Sequence, residues 1–303
     1  MLDPDSYGEL RELFEGVMMF REPMSQHTSW RIGGPAEVLA EPRGVDDLKL
    51  ILKYAASLGI PVTVIGAGTN ILVKDGGIKG IVIQVGSGLS DLRMEGQQVT
   101  AGGGLRLSRL ALAVRDAGIG GFEFIAGIPG TVGGAAVMNA GAYGSSVSDL
   151  VNRVTCIDFA GEELYLENGQ LEWGYRKSAL QGKDLIVVEA VFRGNLRDRD
   201  LIAADMEKFI SSRKAKQPLE YPNSGSVFKN PPGNYAGKLI DQAGCRGMRV
   251  GDAQVSVKHT NFIVNLGKAT ARDVLDLIAA VKVRVLEQSG VNLEMEVKVL
   301  GRD

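Results

Sequence analysis

The chain has 303 residues, 45% of them hydrophobic and 23% charged, which excludes intrinsic disorder and allows two domains of ordinary size. A formal net charge of −2 supplies no general basic field, so nucleic acid is a poor partner, and small anionic ligands would have to be held by a local site. The two cysteines, Cys156 and Cys245, have no metal-ligand spacing, and no segment has the length and apolarity to span a bilayer; neither zinc nor a disulfide is expected, and a start without a leader-like pattern points to the cytoplasm.

Residues 9–20 carry Leu10, Leu13, Phe14 and Val17 at helical spacing, predicting an N-terminal helix within 1–21. Residues 45–58 repeat the pattern with Leu48, Leu52 and Ala55 and end on Gly59, a natural C′ residue. The apolar run 61–65 predicts a buried strand, and 81–85 and 98–100 predict two more, broken by Gly76-Gly77, Gly86 and Gly102-Gly103-Gly104. A helix is expected over 105–117, stopping at Gly118, and strands at 154–159, 163–166 and 185–192. The first domain is placed at 22–195 and the second at 196–303, the second opening with a helix over 198–214 whose basic residues gather near its C-terminus. Thr270 with Asp273 reads as a capping box ahead of Val274, Leu277, Ile278, Val281 and Val285, a helical face that ends at Gly290. The alternation in 291–299 then predicts a strand with Glu294, Glu296 and Lys298 on one face. The whole is α+β.

Two glycine-rich segments carry the first chemical argument. Val64-Ile-Gly-Ala-Gly-Thr-Asn-Ile-Leu72 follows a strand, and successive amides in such a turn form an anion-binding concavity to which Thr69 and Asn70 can add side-chain bonds. Residues 127–144 hold six glycines and almost nothing able to fill a core, so bare backbone there approaches something closely. Either segment alone could equally be a hairpin or bulge, whereas two in one domain favour a ligand. Ser226 by itself reads as a turn hydroxyl, Arg176 as a solvated cation, Glu296 as a surface carboxylate and His259 as a structural histidine.

Their joint order carries more. His27-Thr-Ser-Trp-Arg-Ile-Gly-Gly-Pro-Ala36, Ile65-Gly-Ala-Gly-Thr-Asn-Ile-Leu-Val73, the glycine segment 127–144, Tyr175-Arg176, Gly225-Ser-Val-Phe-Lys-Asn230, Ala236-Gly-Lys-Leu-Ile-Asp241 and Leu293-Glu-Met-Glu-Val297 together resemble the UDP-N-acetylenolpyruvoylglucosamine reductases, flavoenzymes that make UDP-N-acetylmuramate for peptidoglycan. The resemblance runs through nearly the whole chain. It implies an FAD-binding domain of the vanillyl-alcohol-oxidase-like (PCMH) type followed by a smaller α+β substrate-binding domain, and not a Rossmann fold, since no G-x-G-x-x-G opens a helix in the glycine loops.

The same resemblance implies the site. FAD would lie along Val64, Ile65, Gly66, Ala67, Gly68, Thr69, Asn70 and Ile71, and along Gly127, Ile128, Pro129, Gly130, Thr131, Gly133, Gly134, Ala135, Asn139, Gly141, Ala142 and Tyr143. NADPH would reduce the flavin, which passes hydride to the vinyl CH2 of UDP-N-acetylglucosamine enolpyruvate. Arg176 would stabilise the negative charge left at the adjacent carbon, Ser226 would supply the proton, and Glu296, if protonated or acting through a hydrogen bond, would assist. Tyr175, Lys216, Asn230, His259 and Lys298 would contact the UDP-sugar, with no metal involved. No inserted tyrosine-bearing loop is evident between Gly174 and Leu201, which places the chain in the shorter subgroup; His259 and Lys298 replace other polar residues found there. A monomer without nucleic-acid or membrane partners is expected. The same domain could also serve an alcohol or sugar oxidase, or a nucleotide sensor that has lost its chemistry.

Overall fold

The computed structural model of the chain describes residues 7–303. Two compact units emerge: one takes in residues up to Phe20, Glu37–Ala67 and Gly80–Ser212, the other Arg21–Ala36, Gly68–Lys79 and Arg213–Asp303. The expected boundaries, 22–195 and 196–303, differ from these units: two N-terminal stretches group with the C-terminal residues, and the first unit runs on to Ser212, taking in most of the helix expected to open the second domain.

In the first unit a five-stranded antiparallel sheet runs in the order Glu163–Glu167, Val151–Asp158, Leu185–Arg193, Gln98–Gly102, Leu92–Glu95. Its apolar residues Val99, Ala101, Val154, Cys156 and Ala190 share one core with Leu107, Leu110, Ala111 and Val114 of the helix Leu107–Asp116, whose apolar residues recur at helical spacing. A four-stranded sheet, ordered Val17–Pro23, Pro35–Glu41, Ile78–Gln84, Val62–Ile65, contributes Val38, Ala40, Ile81 and Ile83 to a second core with Leu48, Ile51, Leu52 and Ala55 of the helix Val45–Ser57. Gly59 and Gly118 follow their helices with φ of +62° and +68°, the left-handed conformation that ends a helix most cheaply in glycine.

The second unit gathers its core around the helix Ala271–Ser289, which buries Val274, Leu277, Ile278, Val281 and Val285. Thr270 and Asp273 form the reciprocal capping box, and Gly290 closes the helix at φ +70°. A three-stranded antiparallel sheet, Arg249–Val250, Ala253–Val255 and Ile263–Asn265, supplies Ala253, Val255 and Ile263 to the same core. N-terminal residues complete it. Trp30, fully buried, donates its indole N–H to the Ile263 carbonyl at 2.7 Å and accepts from Asn265 Nδ2 at 3.0 Å through its own carbonyl, and the strand Ile71–Val73 pairs in parallel with Lys298–Leu300.

Three expectations are corrected. The helix over 9–20 is instead a short helix, Gly8–Leu13, followed by the strand Val17–Pro23, and residues 1–6 of the expected N-terminal helix lie outside the described residues. Leu10 and Phe14 are buried while Leu13 and Val17 are exposed, so the apolar residues do not share one helical face; Gly16, whose place would set a Cβ 2.1 Å from the Glu41 carbonyl oxygen, marks the break. The strand over 291–299 forms a ladder only at Lys298–Leu300, with a single bridge from Met295 to Phe228. Its backbone divides between partners: Glu296 N–H donates to the Val227 carbonyl at 2.8 Å, and Lys298 N–H to the Asn70 carbonyl at 3.0 Å. The alternation survives as burial, with Leu293 and Val297 buried and Glu294 and Lys298 exposed. Lastly, the glycine segment 127–144, read as bare backbone approaching a ligand or as a hairpin or bulge, contains a helix, Val132–Met138.

Candidate functional site

The first glycine loop leaves the strand Val62–Ile65 and re-enters a strand at Ile71–Val73. Val64 and Ile65 are held in the sheet opposite Ile83 and Gln84, and the Gln84 amide donates to the Gly66 carbonyl at 3.3 Å. Among the described residues the amides of Gly66, Ala67, Gly68 and Asn70 donate to no protein acceptor in the loop, so a row of N–H groups is available, as an anionic ligand requires. Gly68 has φ +66°, and a Cβ there would lie 1.9 Å from the His27 carbonyl oxygen; no other residue fits.

The second segment approaches the first through Gly66, where a Cβ would lie 2.6 Å from Thr131 Oγ1. Thr131 caps the helix Val132–Met138, its hydroxyl accepting from Gly134 N–H at 3.3 Å. The glycines here divide by purpose. Gly133 donates to the Gly103 carbonyl at 2.7 Å, and its absent side chain lets the helix sit against Gly103 and Val187; Ala135 is buried in the core. Gly134 is exposed, and a Cβ there would meet only its own cap, so the first turn of the helix presents a surface without a side chain. Gly127 ends the 3-10 turn Glu123–Gly127, Ile128 N–H is bonded back to the Ile125 carbonyl, Pro129 is exposed, and Gly130 has φ +140°. Gly141 and Ala142 pair with Ser146 and Ser145 across the two-residue turn Tyr143-Gly144, both at positive φ as a type I′ hairpin requires. Tyr143 stacks on Phe209 with centroids 4.1 Å apart and donates its hydroxyl to the Phe209 carbonyl at 2.9 Å.

Arg176 sits at the tip of a hairpin in which Gly174 and Lys177 exchange two backbone bonds, of 3.0 and 3.1 Å, leaving Tyr175 exposed beside it. Its φ of +55° is the value that the third position of a type II turn demands and glycine normally fills. Arg176 Nη2 donates to the Gly141 carbonyl at 2.9 Å, and its guanidinium lies 5.1 Å from the Tyr175 ring centroid. Asn139, itself left-handed and buried, donates to the Gly174 carbonyl at 2.9 Å and accepts from Ser148 N–H at 3.1 Å. The arginine is thus joined to the glycine segment within one unit.

In the second unit Ser226 is half-buried between Gly225, at φ +75°, and the fully buried Val227. The next stretch is paired with the one that carries Glu296: Glu296 N–H donates to the Val227 carbonyl and Lys229 N–H to the Glu294 carbonyl. Asn70 of the first glycine loop donates its side-chain amide to the Glu296 carbonyl at 3.2 Å. Three segments far apart in sequence, those of Asn70, Ser226 and Glu296, are therefore neighbours. Lys229 is engaged with Glu294 at 2.5 Å, and this cation holds the Glu294 carboxyl below its usual range.

The residues expected at the UDP-sugar differ in exposure. Asn230, Lys216 and Lys298 are exposed, and Asn230 Oδ1 accepts from Ala236 N–H at 3.0 Å. His259 is half-buried, edge-on to Phe262 with centroids 4.7 Å apart; burial and then nearby Arg246 lower its pKa from the ordinary value. Its Nδ1 accepts Asn261 N–H at 3.3 Å, so the neutral ring carries its proton on Nε2 and offers a donor there.

Two supporting residues escaped the sequence reading. Asn261, 4% exposed, accepts Phe228 N–H at 3.0 Å and donates to the Phe228 carbonyl at 2.8 Å, holding the chain just after Ser226 as a strand partner would. Gln181 bonds to the Arg176 carbonyl. Neither stands in a distinctive motif, and an isolated polar residue carries no local signal of which distant carbonyl it will meet.

The family described as UDP-N-acetylenolpyruvoylglucosamine reductase, C-terminal domain, matches residues 217–300, and an FAD binding domain family matches 36–166, the stretch holding both glycine loops. A protein of Desulforamulus reducens named UDP-N-acetylenolpyruvoylglucosamine reductase is 47% identical over 296 residues, 98% of either chain. One of the same name from Clostridioides difficile is 45% identical over 93% of this chain and 93% of its own. The crystal structure of UDP-N-acetylenolpyruvylglucosamine reductase from Thermus caldophilus aligns with a TM-score of 0.80 at 35% identity, covering 94% of this chain and 98% of that one.

Proposed function

Because this chain belongs to the UDP-N-acetylenolpyruvoylglucosamine reductase family, an FAD-dependent oxidoreductase family, we propose that it reduces the enolpyruvyl ether of UDP-N-acetylglucosamine enolpyruvate to UDP-N-acetylmuramate for peptidoglycan, with NADPH as the electron source. The glycine loops suit FAD: the unclaimed amides of Gly66, Ala67, Gly68 and Asn70 can meet a diphosphate, and Gly134 presents backbone without a side chain in the way. When bound, FAD supplies the hydride that the vinyl CH2 receives.

The chain's own groups manage the charge and the proton. Addition of hydride at the CH2 leaves anionic character on the carbon bearing the ether oxygen and the carboxylate. Arg176 is the cation assigned to that charge; fixed through Gly141 before the reaction, it needs no reorganisation when the charge develops. Ser226 delivers the proton to the same carbon, an exchange open to a hydroxyl because the acceptor is strongly basic and the alkoxide can be reprotonated. Glu296 assists when its carboxyl carries a proton and can donate a hydrogen bond to the developing anion. Tyr175, Lys216, Asn230, His259 and Lys298 are assigned to the UDP-sugar, His259 through its Nε2 donor. A monomeric, cytoplasmic enzyme without nucleic-acid or membrane partners fits the near-neutral charge, and no helix among the described residues is long and apolar enough to cross a membrane.

The observation that carries the reading of the proton step is the 2.8 Å bond from Glu296 N–H to the Val227 carbonyl, which joins the serine and glutamate segments. Anaerobic half-reactions test it. Ser226→Ala should bind FAD and be reduced by NADPH at the parental rate, while its reoxidation by the enolpyruvyl substrate slows by about 10²-fold or more. Equal slowing of the two half-reactions would remove Ser226 as the proton donor.

A further inference from the structure

Arg176 is held in a conformation it would not choose. A left-handed residue other than glycine is disfavoured and persists only where its surroundings dictate it; the exchange of bonds between Gly174 and Lys177 closes the turn that calls for φ +55° at Arg176, against the preference of a residue with a side chain. Further support comes from a residue five positions along the chain. Gln181 Nε2 donates to the Arg176 carbonyl at 2.9 Å and to the Val137 carbonyl at 3.1 Å, with Met138 Sδ at 3.6 Å. Both oxygens are acceptors, so the amide nitrogen, with its two hydrogens, is the only end of this side chain that fits. Gln181 is itself anchored: Leu180 is buried, Leu180 N–H donates to Ser178 Oγ at 3.3 Å, and Ser178 Oγ donates to the same Val137 carbonyl at 2.7 Å.

We infer that Gln181 is a positioning residue for Arg176, a bracket whose single amide fastens the hairpin tip to the last turn of the helix Val132–Met138. With Gln181 on the carbonyl of Arg176 and Gly141 on its guanidinium, both ends of the arginine are referred to the glycine segment on which the cofactor is proposed to lie. Loss of the bracket leaves the Lys177 N–H bond to Gly174 in place but removes the restraint on the carbonyl side of the same peptide, so the residue relaxes more readily toward negative φ and carries the guanidinium away from Gly141. The cation remains in the protein and is misplaced, which matters because a displacement of about 1 Å in a positioned group can cost about 10² in rate. The inference rests on the proposed role of Arg176 in stabilising the anion, and its test separates the two.

Gln181→Met keeps the length of the side chain and removes both donors. The variant should retain FAD at full occupancy and accept electrons from NADPH at a rate within about twofold of the parent, while reoxidation by the enolpyruvyl substrate slows by about 10- to 100-fold through kcat rather than KM. Gln181→Glu, which turns a carboxylate toward two carbonyl oxygens, should fall at least as far. In the Arg176→Ala background, Gln181→Met should add nothing, since there is no guanidinium left to place. A Gln181→Met enzyme that reoxidises at the parental rate, or whose defect multiplies with that of Arg176→Ala, overturns the bracket and leaves the role of Arg176 intact. Loss of flavin from Gln181→Met also overturns it, by showing that the amide serves the helix instead of the turn. Parental reoxidation in Arg176→Ala itself removes the role of the arginine, and the bracket with it.

Discussion

Single residues in this protein carry conformations and protonation states that only their surroundings explain. Arg176 and Asn139 are left-handed without being glycine, and each is bound on more than one side. Cys156, with no accessible surface, has its thiol pushed up to about 12 by burial, which makes it a packing residue and not a nucleophile. His259 provides the residue-scale prediction. Its folded pKa lies below 6.5 because burial, and then Arg246, disfavour the imidazolium, so the unfolded chain takes up the proton first as pH falls. The stability this provides is fully present above about pH 6.5 and is lost as pH falls through the folded value. Urea unfolding at pH 7.5 and 5.0 should show the parent losing more stability on acidification than His259→Gln; equal losses would mean that the buried imidazole plays no part in the pH dependence.

At the scale of elements, caps and close packing decide where helices begin. The helix Ala271–Ser289 starts at a capping box legible in the sequence, in which Thr270 Oγ1 accepts Asp273 N–H at 3.0 Å and Asp273 Oδ2 accepts Thr270 N–H at 2.9 Å. Thr270→Ala removes half of it and should cost about 1 kcal/mol of stability, seen as a lower urea midpoint with unchanged slope. An unaltered midpoint would mean that the buried face of the helix alone sets its start. The helix Val132–Met138 obeys the same capping rule through Thr131, yet its glycines and alanines concealed it. Propensity argues against Gly133-Gly134 in a helix, and the helix is stabilised by the approach of Gly133 to Gly103 and Val187, a tertiary contact in which a Cβ would be tight. Much of the glycine content that reads as a ligand cradle therefore serves packing, at Gly133 and also at Gly66 and Gly68, where a Cβ would meet Thr131 and His27, while Gly134 is exposed.

For the whole molecule the decisive fact is that the C-terminal core is completed by Trp30, Ile32 and Leu72. Burying a tryptophan and two branched aliphatic side chains contributes several kcal/mol at about 1.5–3 kcal/mol each, comparable with the net stability of a small domain. A fragment of residues 196–303 made alone should therefore lack a cooperative thermal transition by circular dichroism, whereas the full chain has one; a sharp transition in the fragment would show that the N-terminal residues are dispensable to that core. What the sequence alone determined were the features settled within a few residues: the periodicity of the long helices, the Thr270 box, the glycines that end helices, and the ordered motifs that placed the chain in its family. Only the tertiary structure decided which strand each short segment joins, that residues 21–36 and 68–79 belong with the C-terminal core, that the last strand divides between Val227 and Asn70, and that Gln181 and Asn261 hold the segments of Arg176 and Ser226. The reason is that a cap or a helical turn finds its hydrogen-bond partners nearby along the chain, while an extended segment or an isolated amide takes whatever distant partner the completed core brings beside it.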